Sequence, residues 1–166
     1  TAKIAGTEEG ITEPQDTFSA CFGAPFLPLH PSKYAEMLGK KLAQGSDSED
    51  GKINVWLVNT GWTGGAYGDG SRIELSFTRA MVKAALKGEL NKVPYRTLPI
   101  FGLEMPTKCP DVPNAILNPR DTWRNEEDYD RAALDLANRF VKNFEKYADK
   151  TAANIVEAGP KIPALS

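Results

Sequence analysis

Apolar and polar positions divide the chain into segments of different period. Up to about residue 23 no period holds, and Gly6, Glu8, Glu9, Gly10 and Pro14 punctuate a polar stretch that reads as loop. Phe18, Cys21, Phe22, Phe26, Leu27 and Leu29 then cluster around Gly23, Pro25 and Pro28, as buried irregular structure or a short strand would. A helical period begins at Pro31, a residue suited to a first helical turn. Tyr34, Met37, Leu38 and Leu42 fall on one face, so an amphipathic helix is expected over 31–44 with Gly45 as its stop. An acidic, polar loop, 45–52, separates it from 53–58, a continuous apolar run (Ile-Asn-Val-Trp-Leu-Val) with the character of a buried strand.

Further along, a helix is expected from Ser76 as cap to about Lys87, with Phe77, Met81, Ala84 and Ala85 inward and Gly88 ending it. Residues 98–103 suggest another short strand. Pro94, Pro99, Pro106, Pro110, Pro113 and Pro119 make the surrounding stretch extended connector. A long helix follows over about 126–147, with Asn125 as candidate cap and Tyr129, Ala133, Leu136, Phe140, Phe144 and Tyr147 as its packing stripe. A short helix, 151–158, would end at Gly159-Pro160. Strand, glycine turn and helix over 53–87 resemble a βα unit of an α/β fold, in which ligands bind beyond the strand's carboxyl end.

That turn is Asn59-Thr-Gly-Trp-Thr-Gly-Gly-Ala-Tyr-Gly-Asp-Gly-Ser-Arg72. Its glycines let backbone come close to a ligand, and Arg72 can stack on a flat base or pair with anionic oxygens. Thr78 lies in the first turn of the next helix, where hydroxyl and free N–H groups can face a ligand. The turn matches neither GxGxxG nor GxxxxGK[ST], so a phosphate cradle and a plain surface turn both stand on the residues alone. Arg72 as a solvated side chain and Thr78 as a capping residue are the corresponding plain readings.

Composition narrows the classes. With 166 residues, 41% hydrophobic, the chain can form one core or a large piece of a bigger one. A net charge of −2 offers no footprint for nucleic acid or an anionic membrane. No apolar run approaches a membrane span and no basic-then-apolar leader opens the chain, so a soluble, cytoplasmic protein is expected. Its start at Thr1 reads as a piece entered mid-fold, or as the result of leader removal. Cys21 and Cys109 lack CxxC companions and read as reduced structural thiols. His30, the sole histidine, reads as a packed side chain, so no multi-histidine metal site and no histidine triad is expected. Thr63 in GWTGG does not match a GxSxG elbow. Asp128 with Arg131, and Lys142 with Glu145, are ordinary solvated helix pairs.

Several segments together carry a resemblance. Thr1-Ala-Lys-Ile-Ala-Gly-Thr-Glu-Glu-Gly-Ile-Thr-Glu-Pro14, Phe18-Ser-Ala-Cys-Phe-Gly23, Leu29-His-Pro31, Tyr34-Ala-Glu36, Asn59-Thr-Gly-Trp62, Arg72-Ile73, Thr78-Arg-Ala80 and Ile116-Leu-Asn-Pro-Arg120 resemble, in order and spacing, the C-terminal part of ATP-dependent phosphoenolpyruvate carboxykinases. The likeness runs from Thr1 to about Pro160. It implies part of a mixed α/β nucleotide-binding C-terminal domain covering 1–166, with a long C-terminal helix. It also implies a gluconeogenic enzyme that converts oxaloacetate and ATP to phosphoenolpyruvate, ADP and carbon dioxide with Mg²⁺ and Mn²⁺.

By the same resemblance Arg72 and Ile73 fall on the family's adenine-contacting pair, Thr78 on a further nucleotide contact, and 1–12 on its mobile active-site lid. The P-loop, the metal ligands and the oxaloacetate-binding arginines would belong to an upstream polypeptide, the expected partner. The chain alone is therefore expected to be inactive, with no catalytic residue and no metal ligand of its own. Glu9 is acidic where some relatives carry arginine, so no role is carried onto it, and none is assigned to the acidic loop. The rival expectation is a stand-alone, non-catalytic module that binds adenine nucleotide or serves as a scaffold.

Overall fold

Residues 2–3, 15–16, 26–46, 53–65 and 68–162 are described by the computed structural model. They are mixed α/β, with short antiparallel strand pairs and a predominance of helix. Two compact units divide the chain, Thr1–Asn54 with Asn143–Ala152, and Val55–Lys142 with Ala153–Ser166. Among the described residues no helix is long and apolar enough to cross a membrane.

In the first unit, β1 (Ala2–Lys3) pairs antiparallel with β2 (Gln15–Asp16), Ala2 facing Asp16. Apart from β1, the expected lid over 1–12 lies outside the described residues, as do Phe18, Cys21 and Phe22 and most of the acidic loop. Helix α1 (Pro31–Ser46) starts at Pro31 as expected but continues through Gly45, which is buried within it instead of ending it. Tyr34 and Leu42 on its apolar stripe are half-buried, whereas Met37 and Leu38 are 59% and 58% exposed. His30 sits just before α1 with Nδ1 2.8 Å from the Ser32 hydroxyl and its ring edge-on to Tyr147 at 6.0 Å. It is a packed, partnered side chain, as the sequence suggested.

The second unit holds a core of Ala84, Leu90, Cys109, Val112 and Leu117, with Trp56, Phe77, Ala80, Met81, Ala85 and Ile116 against it. Four of these, Phe77, Met81, Ala84 and Ala85, are the inward face expected of α2 (Leu75–Leu86). Its N-cap is Glu74 and not Ser76, whose hydroxyl bonds the Glu74 carboxylate at 3.3 Å instead of a free helix N–H. After Gly88 a 3-10 turn (Glu89–Lys92) carries Leu90 into the core, and the Tyr95 hydroxyl donates to the Leu90 carbonyl at 2.9 Å. Cys109 is a buried free thiol, pushed above its ordinary pKa first by burial and then by Glu89 and Asp111, which suits packing and not nucleophilic chemistry.

Two expected strands do not form. Residues 53–58 carry no ladder partner among the described residues, and Ile53, Val55, Leu57 and Val58 stand exposed while Trp56 alone turns to the core. A β-run becomes a strand only where a second chain segment satisfies its N–H and C=O groups, and local propensity cannot supply that segment. Residues 98–103 form the tip of a hairpin. Here β5 (Tyr95–Thr97) pairs antiparallel with β6 (Glu104–Pro106), and the tip closes through Leu98 N to Leu103 O at 2.9 Å. Pro99 has no N–H to give a ladder, so the chain turns there.

Helices α3 (Asn114–Leu117) and α4 (Pro119–Thr122) lead into α5 (Glu126–Ala148). The Asn125 side chain accepts the Glu127 N–H at 2.9 Å, which starts the helix where the sequence placed its cap. Within the second unit α5 buries Ala133 and Ala137 and sets Phe140 edge-on to Phe101 at 6.4 Å. Within the first, Phe144 meets Tyr147 at 6.3 Å. Of the expected stripe, Phe140 remains 44% exposed. Helix α6 (Ala153–Glu157) is shorter than expected, and Lys161 N then bonds Ile100 O at 2.7 Å, fastening the chain to the hairpin tip.

Candidate functional site

The glycine turn folds as a hairpin. Strand β3 (Trp62–Thr63) pairs antiparallel with β4 (Ser71–Arg72), so that Trp62 faces Arg72 and Thr63 faces Ser71. Asn59 builds the entrance, its Oδ1 accepting Gly61 N–H at 2.9 Å and its Nδ2 donating to Trp62 O at 3.1 Å. Ile73 N donates to Gly61 O at 2.9 Å and extends the pairing by one residue. Gly64, Gly65 and Gly70 are required by close approach, Gly65 because a Cβ there would lie 2.9 Å from Gly70 N. A Cβ on Gly64, whose φ is 78°, would lie 2.9 Å from the Thr122 carbonyl oxygen. One on Gly70 would lie 2.6 Å from Gly65 O and 2.7 Å from Thr63 O.

The hairpin is tied to α4 by a single hydroxyl that the sequence did not single out. Thr122 Oγ1 donates to Pro119 O at 2.7 Å and accepts from Thr63 Oγ1 at 3.0 Å and Gly64 N at 3.1 Å. One donor and two acceptor positions are all used, which is the full capacity of a hydroxyl. Thr122→Val should remove the anchor while keeping the shape. It leaves a half-buried N–H unmet, at a cost of about 1–2 kcal/mol. The melting temperature of the natural polypeptide should fall by a few degrees, and Thr122→Ser should restore it. An unchanged melting curve for Thr122→Val would show that the tie is dispensable.

Arg72 ends β4 exposed, with its guanidinium carbon 5.8 Å from the centre of the Trp62 ring and no ion pair among the described residues. Ile73 is half-buried beside it. Thr78 stands in the first turn of α2, its N–H bonded to Glu74 O at 3.2 Å, and is also half-buried. It lines a shallow, mainly apolar groove of about 450 Å³ with Arg79, Val82, Lys83, Leu86 and Lys87. Arg72 and Ile73 do not line that groove, so the three residues share a hairpin-to-helix junction without being enclosed in one cavity.

A larger cavity, about 520 Å³, lies where the β5–β6 tip faces α4 and α5. Its charges are already matched. Arg120 donates to both oxygens of Asp130 at 2.9 Å and also to Glu126, while Arg96 lies 4.0 Å from Asp121. The Arg120 hydrogen bonds hold the Asp130 carboxyl below its ordinary pKa, and Arg120 is raised in turn, first by its bond to Asp130. Arg120 so paired links α4 to α5, Arg96 faces α4 from β5, and little charge is left for a phosphate. Among the described residues no group of three His, Cys, Asp or Glu side chains could hold a metal ion.

Residues 1–115 match the family model described as phosphoenolpyruvate carboxykinase. The chain belongs to this family. Carboxykinases similar to it include the phosphoenolpyruvate carboxykinase (ATP) of Brevibacillus brevis, 59% identical over 98% of this chain and 29% of that protein. Those of Flavobacterium johnsoniae and Caldanaerobacter subterraneus are 56% and 58% identical over 96% and 97% of the chain. The chain spans about three tenths of the length of these carboxykinases.

Proposed function

We propose that this chain supplies the adenine-binding part of an ATP-dependent phosphoenolpyruvate carboxykinase, within a polypeptide that continues upstream of Thr1. The observation that carries the reading is an exposed guanidinium without a carboxylate partner among the described residues, at the end of a braced hairpin in a chain of this family. A planar cation of this kind can lie against a purine face. Ile73 offers an apolar edge beside it, and Thr78 a hydroxyl at the start of α2. These residues bind and orient the base. The β3–β4 hairpin holds them there through the Asn59 and Thr122 bonds.

In the same reading the P-loop, the metal ligands and the oxaloacetate site lie upstream. Mg²⁺ or Mn²⁺ held there would neutralise charge during phosphoryl transfer from ATP to the product of oxaloacetate decarboxylation. The segment 1–12 would close over the substrates as a lid and exclude water. Exposed apolar side chains on α1 and along 53–58 support the larger assembly, since Met37, Leu38, Val55 and Leu57 are each more than half exposed.

The test uses the natural polypeptide. Arg72→Ala should raise the ATP KM about tenfold, the equivalent of 1.4 kcal/mol of lost binding. Thr78→Val should raise it about threefold, the loss of one hydrogen bond. The oxaloacetate KM should stay within about twofold for both, because neither side chain is placed at the reacting carbon. Unchanged ATP KM values in both variants would sink the assignment.

A further inference from the structure

We infer that Trp62 is a positioning residue for nucleotide binding, holding the Arg72 guanidinium by one face so that the other is presented flat to the adenine. This rests on the adenine-binding reading above and extends it to a residue that neither the sequence motif nor the family match assigns. The two side chains are directly opposed in the antiparallel pair, the arrangement in which cross-strand side chains lie closest. The guanidinium carbon is 5.8 Å from the indole centre, within cation–π range.

The Trp62 ring is 40% exposed and lies outside the hydrophobic core cluster, to which Trp56 contributes its ring. Its backbone, in contrast, is fixed, because the Trp62 carbonyl accepts from Asn59 and the preceding Gly61 is bonded both to Asn59 and to Ile73. An exposed, backbone-clamped indole beneath an exposed arginine is a platform. A free arginine samples many rotamers and must lose that freedom on binding, whereas one resting on an indole has lost much of it beforehand. The guanidinium is planar, so occupying one face leaves the other for a second flat partner, and a purine base has that shape.

The experiment compares Trp62→Leu, Trp62→Phe, Arg72→Ala and the Trp62→Leu/Arg72→Ala double variant in the natural polypeptide. Trp62→Leu should raise the ATP KM about 3- to 10-fold with kcat and the oxaloacetate KM within about twofold, and Trp62→Phe should recover most of the loss. The double variant should be no worse than Arg72→Ala alone, since the indole acts through the arginine. An ATP KM unchanged by Trp62→Leu but raised by Arg72→Ala would overturn the role of Trp62 and leave the nucleotide reading standing. Additive losses would also overturn it, because the indole would then act independently of Arg72. No change in either variant would instead bring down the nucleotide reading itself. If Trp62→Leu does not fold, indole emission decides. ATP should change the indole emission of the unsubstituted enzyme and change it less in Trp62→Phe, and equal changes in both would refute the platform.

Discussion

The 166-residue chain assayed by itself should release no carbon dioxide from oxaloacetate in the presence of ATP and Mn²⁺, whereas the polypeptide carrying its upstream part should turn over at on the order of 1–100 s⁻¹. Phosphoryl transfer is carried almost entirely by positioning and by charge neutralisation around the phosphates. That demands a phosphate cradle and metal ligands. The sequence contains no GxxxxGK[ST], and among the described residues no three metal-ligating side chains converge. The cations near the larger cavity, Arg96 and Arg120, are engaged by Asp121, Glu126 and Asp130. On the proposed reading Arg72 and Thr78 hold a base, a task that needs neither a phosphate cradle nor a metal ion. Decarboxylation coupled to ADP formation by the isolated chain, above a no-protein control, would refute this division of labour.

Gly70→Ala should have the second large effect. The added methyl carbon would stand 2.6 Å from Gly65 O and 2.7 Å from Thr63 O, both backbone atoms that cannot swing aside as the end of a flexible side chain can. Relief requires the two strands to part just before Ser71 and Arg72. Opening the ladder there costs about 2–4 kcal/mol through strain and lost bonding. It also moves Arg72 away from Trp62. The natural polypeptide carrying Gly70→Ala should therefore bind ATP at least about tenfold more weakly, with a lowered melting temperature. Gly68→Ala is the control, because a Cβ at Gly68 meets nothing within 4 Å among the described residues and the variant bears mainly the cost of its φ of 98°. If Gly70→Ala were no worse than Gly68→Ala in ATP binding, the close approach in the hairpin would not govern the site.

Helices were the legible part of this fold. Pro31 starts α1, Asn125 caps α5, and the α2 face of Phe77, Met81, Ala84 and Ala85 meets the core as its spacing predicts. Each of these signals is local, a period or a cap written within one or two turns, and a helix satisfies its backbone bonds within itself. Membership in the carboxykinase family was legible for a similar reason, since ordered motifs along most of the chain need no tertiary knowledge. Strands were not legible. The apolar 53–58 run and the 98–103 segment have β composition, yet one lacks a ladder partner among the described residues and the other is a proline-bearing tip between β5 and β6.

The site divides along the same line. Residue type and spacing by themselves singled out the Asn59–Arg72 glycine turn as unusual and placed Thr78 in a first helical turn. Only the tertiary structure paired Trp62 with Arg72, brought Thr122 from a distant part of the sequence to tie Thr63 and Gly64, and closed Gly65 against Gly70 so tightly that no side chain fits. Those contacts join residues up to 59 positions apart. Their geometry is set by which surfaces happen to meet when the chain folds, information that a local pattern of apolar and polar residues does not contain.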